Sequence, residues 1–461
     1  MTTPTRRQTL AAFAGGSALA AAPLRLSAAP SEWEVTAAIR ALFLYDPGAF
    51  IAGLETLEAH GQADVASSLI LALRFSPQPH GPVSELLAKV TGAEPMADWF
   101  DWMLWQEANP DVPSHPGYYE VKRELLLAID RNWEPFLKPE FIAPGAMDIR
   151  FEEVAWGGVR RDGIPSLDFP KLIEAEEAGY LLDDDLVFGV EIEGDVRAYP
   201  LRVMGWHEMF NEVIGGVPVA LAYCTLCGAG ILFETTVEGF DEPLVMGTSG
   251  FLYRSNKLMY DRTTESLWNQ FTGEPVSGEL RGSGVRLAQR PVAIEPWSVW
   301  RARNPGTKVL SLQTGHARDY GSGVVYQEYF ASPNLMFPAA AGGPLAKKDY
   351  VFGVRAFGGQ KAWPLAAFGG GRVINDSVGA KDVVLTGAAT GRTVRAYDRK
   401  GLSFEAGPDA ETLVGDGQSW RVTEAALVGD DGRKLPRVPG HVAYWFAWNN
   451  YLGPKAELFE G

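Results

Sequence analysis

Cysteine is almost absent from this chain of 461 residues, which contains only Cys224 and Cys227. So small a number excludes a fold held by a disulfide network, so stability must rest on buried apolar side chains. The chain also lacks a phosphate-binding glycine loop, and Ser249 lacks the Gly-x-Ser-x-Gly context of a hydrolase nucleophile. Basic residues are outnumbered, 41 Lys and Arg against 57 Asp and Glu. The resulting formal charge of -16 argues against nucleic acid or anionic lipid as a partner.

Long apolar runs are missing as well, and we expect no membrane span in the mature chain. The N-terminus combines the pair Arg6 and Arg7 with a mildly apolar, alanine-rich run from Ala11 to Pro23, followed by small residues. This order predicts a twin-arginine signal peptide over residues 1–29. We therefore expect export in the folded state to the periplasm or another extracytoplasmic compartment.

The mature chain divides into regions of different periodicity. Residues 30–143 carry apolar side chains at helical spacing, with Pro and Gly at the joins, and predict a small helical array. The predicted helices are Glu34–Tyr45, Ala49–His60, Ala63–Arg74, Val83–Val90, Met96–Asn109 and Tyr119–Asn132. Short alternating segments dominate after Pro144 and predict strands. The predicted class is therefore α+β.

An internal repeat suggests that the β part contains two related domains, over residues 144–335 and 336–461. Residues 185–221 match residues 349–385 without a gap, with 14 identities in 37 positions. Three distinctive residues are not repeated, because His207, Cys224 and Cys227 correspond to Gly371, Ala388 and Gly391. A fold that survives without these three side chains indicates that they serve a function, and the second copy is degenerate at this site.

The setting of the cysteines favours a metal site. Cys224 and Cys227 lie between two predicted strands, whereas a thioredoxin-like pair lies at a helix N-terminus that lowers the thiol pKa. Two thiolates and the His207 imidazole would supply three ligands to copper or zinc and leave one position open.

Other side chains are candidates for a supporting role. We expect a second layer of polar residues to orient the ligands. This layer comprises Glu208, Asn211, Ser249, Tyr260 and Asp261. For Asp261 the alternatives are to orient His207 or to form a structural pair with Arg262, and we expect the structural pair. Met246 and Met259 are soft enough to ligate, but core positions suit them better.

The motifs identify the chain as similar to a known family, the domain of unknown function family 3179. The resemblance is carried by Trp206-His207-Glu208, Tyr223-Cys224-Thr225-Leu226-Cys227-Gly228, Ser249-Gly250, Ser255-Asn256, Met259-Tyr260-Asp261-Arg262, Ser266-Leu267-Trp268 and Phe271-Thr272-Gly273. Some members carry selenocysteine in the cysteine motif, which implies a reactive chalcogen at Cys224 or Cys227. Thr225 stands where many members have proline, and this changes the stiffness of the turn.

Three functions remain open. The first is an exported copper or zinc protein with a redox or metal-handling role at His207, Cys224 and Cys227. The second is a periplasmic thiol-disulfide oxidoreductase in which Cys224 and Cys227 are catalytic and His207 accepts a proton, with a small-molecule or protein redox partner. The third is a non-catalytic binding module in which the helical region docks a partner.

Overall fold

The computed structural model describes residues 29–453 and 456–461. The predicted signal peptide lies outside these residues, apart from its last position. The N-terminal region is helical. Its helices are α1 (Glu32–Ala41), α2 (Pro47–His60), α3 (Ala66–Phe75), α4 (His80–Thr91), α5 (Trp99–Ala108), α6 (Pro116–Ile129) and α7 (Pro139–Ile142).

Local sequence signals set the helix ends. The Ser31 hydroxyl and the Glu34 carboxylate form a capping box at the start of α1. Asp46 caps α2, and Gly61 ends it in the left-handed conformation. Helix α1 packs on α2 and also on α6, while α3 packs on α4 and α5. The chain of this region thus returns on itself, around a core that includes Leu69 and Trp102.

The remainder is mostly β structure. Its strands are β1 (Val154–Trp156), β2 (Leu167–Asp168), β3 (Leu172–Glu174), β4 (Leu186–Ile192), β5 (Asp195–Pro200), β6 (Met209–Ile214), β7 (Val217–Cys224), β8 (Ala229–Glu234), β9 (Met246–Tyr253), β10 (Asn256–Asp261), β11 (Leu267–Asn269), β12 (Glu274–Ser277), β13 (Ala288–Arg290), β14 (Ala293–Pro296), β15 (Lys308–Leu310), β16 (Tyr350–Ala356), β17 (Gly359–Pro364), β18 (Arg372–Val378), β19 (Lys381–Ala388), β20 (Thr393–Asp398), β21 (Phe404–Ala406), β22 (Thr412–Gly415), β23 (Gln418–Val422), β24 (Ala426–Gly429), β25 (Lys434–Val438), β26 (Gly440–Tyr444) and β27 (Glu457–Leu458). The helices among them are α8 (Leu201–His207), α9 (Trp297–Arg303), α10 (Gln327–Ala331) and α11 (Trp445–Leu452). The mixed α and β composition predicted from the sequence is confirmed.

Two of the sheets have the same internal order. In the first, β4 pairs antiparallel with β14 and β5, and β15 runs parallel to β5. In the second, β16 pairs antiparallel with β26 and β17, and β27 runs parallel to β17. A tryptophan ring covers a strand glycine in each sheet, Trp300 over Gly189 and Trp448 over Gly353. No side chain larger than hydrogen fits beneath either ring.

A further sheet, in the order β13-β8-β7-β6-β2, carries the cysteine motif at the end of β7. Its residues share one apolar core with the second β region, because Phe210 of β6 and Leu221 of β7 lie in the same cluster as Phe352 and Val354. Within the described ranges, every helix is too short or too polar to cross a bilayer.

Residues 311–349 connect β15 to β16 and contain one short helix, α10. We call this segment the strap. Connections of this length inside a compact domain are uncommon and are often functional. The strap passes over the cysteine motif, as its contacts below show.

Candidate active site

The cysteine motif forms a tight turn between two strands. Strand β7 ends at Cys224 and β8 begins at Ala229. The amide of Cys227 donates to the Cys224 carbonyl at 3.2 Å. Gly228 has φ 60°, and a Cβ there would lie 2.9 Å from the Tyr350 ring. A glycine is therefore required both by the backbone conformation and by the close approach of the second β region.

Both cysteines are free thiols, and both are buried. Their Sγ atoms lie 3.0 Å apart, so a disulfide would need only a small movement of the turn. The Cys227 Sγ also lies 3.4 Å from the Ser255 carbonyl oxygen. Burial and the neighbouring Cys224 sulfur raise the pKa of the Cys227 thiol well above its ordinary value. Cys227 is therefore the inner cysteine and is held as a thiol.

The two thiols differ in access. Cys224 lines a small cavity of about 40 Å³, and Cys227 is not among the residues that line it. A cavity of this size holds a water molecule or a group of a few atoms. Glu208, Lys257, Ser249 and Tyr326 also line it. Cys224 is thus the cysteine that a small reagent reaches first.

A buried ion pair forms one wall of this cavity. The Lys257 ammonium lies 3.2 Å from Oε2 of Glu208, and Oε1 of Glu208 accepts a hydrogen bond of 2.7 Å from the Thr225 hydroxyl. Thr225 belongs to the cysteine turn, so the carboxylate is linked directly to the motif. Because Glu208 and Cys224 line the same cavity, the carboxylate can accept a proton from the thiol.

His207 points away from this cavity. Its Nδ1 lies 2.9 Å from the Pro165 carbonyl oxygen, and its Nε2 lies 2.6 Å from the Tyr320 hydroxyl of the strap. A carbonyl only accepts, so Nδ1 carries the proton and Nε2 accepts from Tyr320. Burial lowers the pKa of His207 to about 4, which leaves the ring neutral at pH 7.

The backbone explains why neighbouring residues face different ways. Helix α8 ends at His207, and Glu208 takes the left-handed conformation with φ 53° before β6 begins. The Glu208 carbonyl accepts from the Tyr223 amide at 2.8 Å and fixes this reversal beside the cysteine strand. The turn sends the His207 ring to the strap and the Glu208 carboxylate to the cysteines.

The predicted three-ligand group does not assemble in this conformation. Among the described residues, no three His, Cys, Asp or Glu side chains are arranged to hold a metal ion. Both ring nitrogens of His207 are engaged by other partners, as described above. The cysteine turn offers two sulfur donors, with Glu208 nearby. It lacks the imidazole that the predicted ligand set includes.

The remaining candidates hold the scaffold. The Asn211 amide bonds both Asp168 and the main chain of Met246. The Ser249 hydroxyl donates to the Leu258 carbonyl at 2.6 Å and is the one of these residues that lines the cavity. Met246 and Met259 are fully buried in the apolar core.

Asp261 and Tyr260 correct one expectation. The expected pair between Asp261 and Arg262 is not formed, because Arg262 pairs with Asp162 instead. Tyr260 donates to the same Asp162 carboxylate at 2.6 Å. Asp261 caps the following turn and accepts from the Trp268 indole at 2.9 Å, so it stabilises local structure.

Sequence reasoning missed Asn256 and Lys257 as parts of the site. Asn256 is fully buried, and neither atom of its amide has a hydrogen bond of ordinary geometry within the described residues. Its amide faces the Cys227 sulfur and acts to lower the pKa of that thiol, although burial outweighs this effect. The polar run Ser255-Asn256-Lys257 could have indicated a site. Polar side chains at the start of a buried strand require hydrogen-bond or charge partners.

The strap residues were the other omission. Besides Tyr320, Tyr329 donates to the Leu226 carbonyl at 2.6 Å, and Trp206 donates to the Asp319 carbonyl at 2.7 Å. Each of these contacts joins residues more than 100 positions apart, and no local sequence pattern predicts them.

Comparison with known proteins places the chain in one family. The model of the family described as protein of unknown function (DUF3179) matches residues 161–455, well over half of the chain. No curated protein and no solved structure matches the chain significantly. The match begins after β1 and ends before β27, so it covers most of both β regions.

Proposed function

We propose that this chain, which belongs to the DUF3179 family, is a dithiol–disulfide oxidoreductase that uses Cys224 and Cys227. The observation that carries the proposal is the pair of free thiols 3.0 Å apart, of which only Cys224 lines a cavity. An inert structural disulfide would need neither the unequal access nor the ion pair that faces Cys224.

The reaction proceeds in two exchanges. Cys224 loses its proton to Glu208, attacks a disulfide R–S–S–R and forms a mixed disulfide, and the released RS⁻ takes up that proton. Cys227 then attacks the Cys224 sulfur, breaks the mixed disulfide and passes its own proton to the second RS⁻. The substrate gains two electrons and two protons, and the enzyme ends with a Cys224–Cys227 disulfide.

Glu208 replaces His207 as the proton acceptor in this proposal. Glu208 lines the cavity together with Cys224, whereas the His207 ring is occupied by Pro165 and Tyr320. His207 acts instead as the anchor of the strap, whose opening admits a substrate larger than the cavity. Lys257 holds the carboxylate in place.

Copper or zinc binding at His207, Cys224 and Cys227 remains a prediction, and the contacts of His207 do not favour it. Two further inferences accompany the proposal. The matching strand order of the two sheets supports an internal duplication, and the predicted twin-arginine export would place the cysteine pair in an oxidising compartment.

The test is a redox titration of the purified protein in glutathione buffers, with free thiols trapped by N-ethylmaleimide and counted by mass. We expect the wild type to gain or lose both labels together and reversibly. The Cys224→Ser and Cys227→Ser variants should each retain one label until a mixed disulfide forms. A pair that stays fully labelled in every buffer, or copper or zinc at one per chain in the same sample, would contradict the proposal.

A further inference from the structure

A second and larger cleft lies at the place in the second β region that corresponds to the cysteine site. Its volume is about 520 Å³, within the usual range for small-molecule sites. Residues of β14 and α9 form one wall, and residues of strands β18 to β23 form the other. We call it the Glu295 cleft.

Loss of large side chains opens this space. At the offset of 164 residues, Trp206 corresponds to Gly370, His207 to Gly371 and Cys224 to Ala388, and all three smaller residues line the cleft. A Cβ at Gly370 or Gly371 would meet no atom within 4 Å, so contacts with neighbouring atoms do not require glycine at these positions.

A buried carboxylate oxygen in the wall has no partner. Glu295 is fully buried and lines the cleft. Its Oε1 accepts from the Arg395 guanidinium at 2.8 Å, but its Oε2 has no hydrogen-bond partner among the described residues. Arg395 is itself held by Glu424 and cannot turn away to serve this oxygen. An unmet buried carboxylate oxygen is costly, and a donor supplied by a ligand would satisfy it.

The other walls combine apolar side chains with the charged groups of Arg303, Arg372 and Asp409. Pro296 and Val299 contribute from the first β region, and Val373, Leu413 and Val422 from the second. Such a surface favours a hydrocarbon or aromatic body, while Glu295 selects for a donor at one end.

We propose that the Glu295 cleft binds a small organic molecule with an apolar body and a terminal amine or hydroxyl group. The ligand places its donor on the free oxygen of Glu295 and its apolar part against Val299 and Leu413. This site is separate from the cysteine pair and needs neither thiol.

Three probes of one shape test the proposal by saturation-transfer NMR on the full chain. They are phenethylamine, phenethyl alcohol and ethylbenzene, which end in an amine, a hydroxyl and a methyl group. We expect the first two to bind at least fivefold more tightly than ethylbenzene. Glu295→Gln should reduce the preference for the amine at least threefold, and Cys224→Ser should change nothing.

Two independent variants should block the cleft. Gly370→Trp restores the residue type found at Trp206, and Val299→Phe fills the opposite wall, so each should abolish binding of all three probes while the melting temperature stays near that of the wild type. The proposal is overturned if the amine and the alcohol fail to bind, or if they bind equally well in whichever blocking variant folds.

Discussion

Cys224 and Cys227 are neighbours in one turn, yet their environments differ in ways that chemistry can detect. Cys224 and Lys257 line the cavity, and Cys227 does not. Burial raises the pKa of the Cys227 thiol. A thiol that is protonated and enclosed reacts slowly, since the thiolate is the nucleophile.

The first prediction concerns this difference in reactivity. In single-cysteine variants, Cys224 in Cys227→Ser should react with methyl methanethiosulfonate at pH 7 at least tenfold faster than Cys227 in Cys224→Ser. Samples are quenched at set times by alkylation of the remaining thiol, and mass spectrometry then gives both rates. Equal rates, or a faster Cys227, would reverse the assignment of outer and inner cysteine.

His207 gives a prediction about pH. Burial lowers its pKa from an ordinary 6.5 to about 4. As the pH falls from about 6.5 towards 4, the unfolded chain takes up this proton and the folded protein does not, so the unfolded state is favoured. Urea unfolding at pH 7 and pH 4.5 should show a loss of stability that is greater by about 2 kcal/mol in the wild type than in His207→Gln. An identical loss in both proteins would show that His207 titrates normally.

At the scale of elements, the proposed function requires the strap to control access to the cysteines. Tyr329 of α10 donates to the Leu226 carbonyl inside the motif, and the Lys348 ammonium packs 3.7 Å from the centre of the Tyr329 ring. A connecting segment can open locally at a lower free energy than the whole protein unfolds.

Removal of the Tyr329 hydroxyl should therefore expose the site. Tyr329→Phe leaves a buried carbonyl unpaired, which costs about 1–2 kcal/mol and should accelerate labelling of Cys224 about tenfold. Tyr45→Phe is the matched control, because Tyr45 is 91% exposed in the helical region. If Tyr329→Phe is labelled at the wild-type rate, the strap does not limit access.

The element scale also shows what the sequence could and could not reveal. The strand-turn-strand setting of the cysteines followed from apolar runs on both sides of the motif, and α1–α6 followed from helical spacing. The sequence also predicted that His207 groups with the cysteines, and the structure does not show this grouping. One left-handed residue, Glu208, turns the chain after His207 and directs the ring elsewhere. The contacts of the strap depend on residues more than 100 positions away and leave no local signal.

At the scale of the whole molecule, the two β regions share one core and the same packing of a tryptophan ring on a strand glycine. Trp300 and Trp448 are fully buried, and each ring covers the glycine at the same place in its sheet. A Cβ at Gly189 would lie 2.2 Å from the Trp300 ring, and one at Gly353 would lie 1.9 Å from the Trp448 ring.

Alanine at either glycine should destabilise the protein. We expect Gly189→Ala and Gly353→Ala each to lower the free energy of unfolding by about 2 kcal/mol or more, because overpacking displaces a buried ring. Gly179→Ala is the control, since a Cβ there would meet no atom within 4 Å. A large effect at one glycine and none at the other, measured by urea denaturation, would break the equivalence of the two sheets.

The central claim is that Cys224 attacks and Cys227 resolves, and trapping the mixed disulfide tests it most directly. The wild type and both cysteine variants are exposed to cystamine, quenched with N-ethylmaleimide and analysed by mass. We predict a lasting cysteamine adduct on Cys224 in Cys227→Ser, almost none in Cys224→Ser, and in the wild type an internal disulfide without adduct or label. A stable adduct on the wild type, or two labelled thiols after full exposure, would contradict the account.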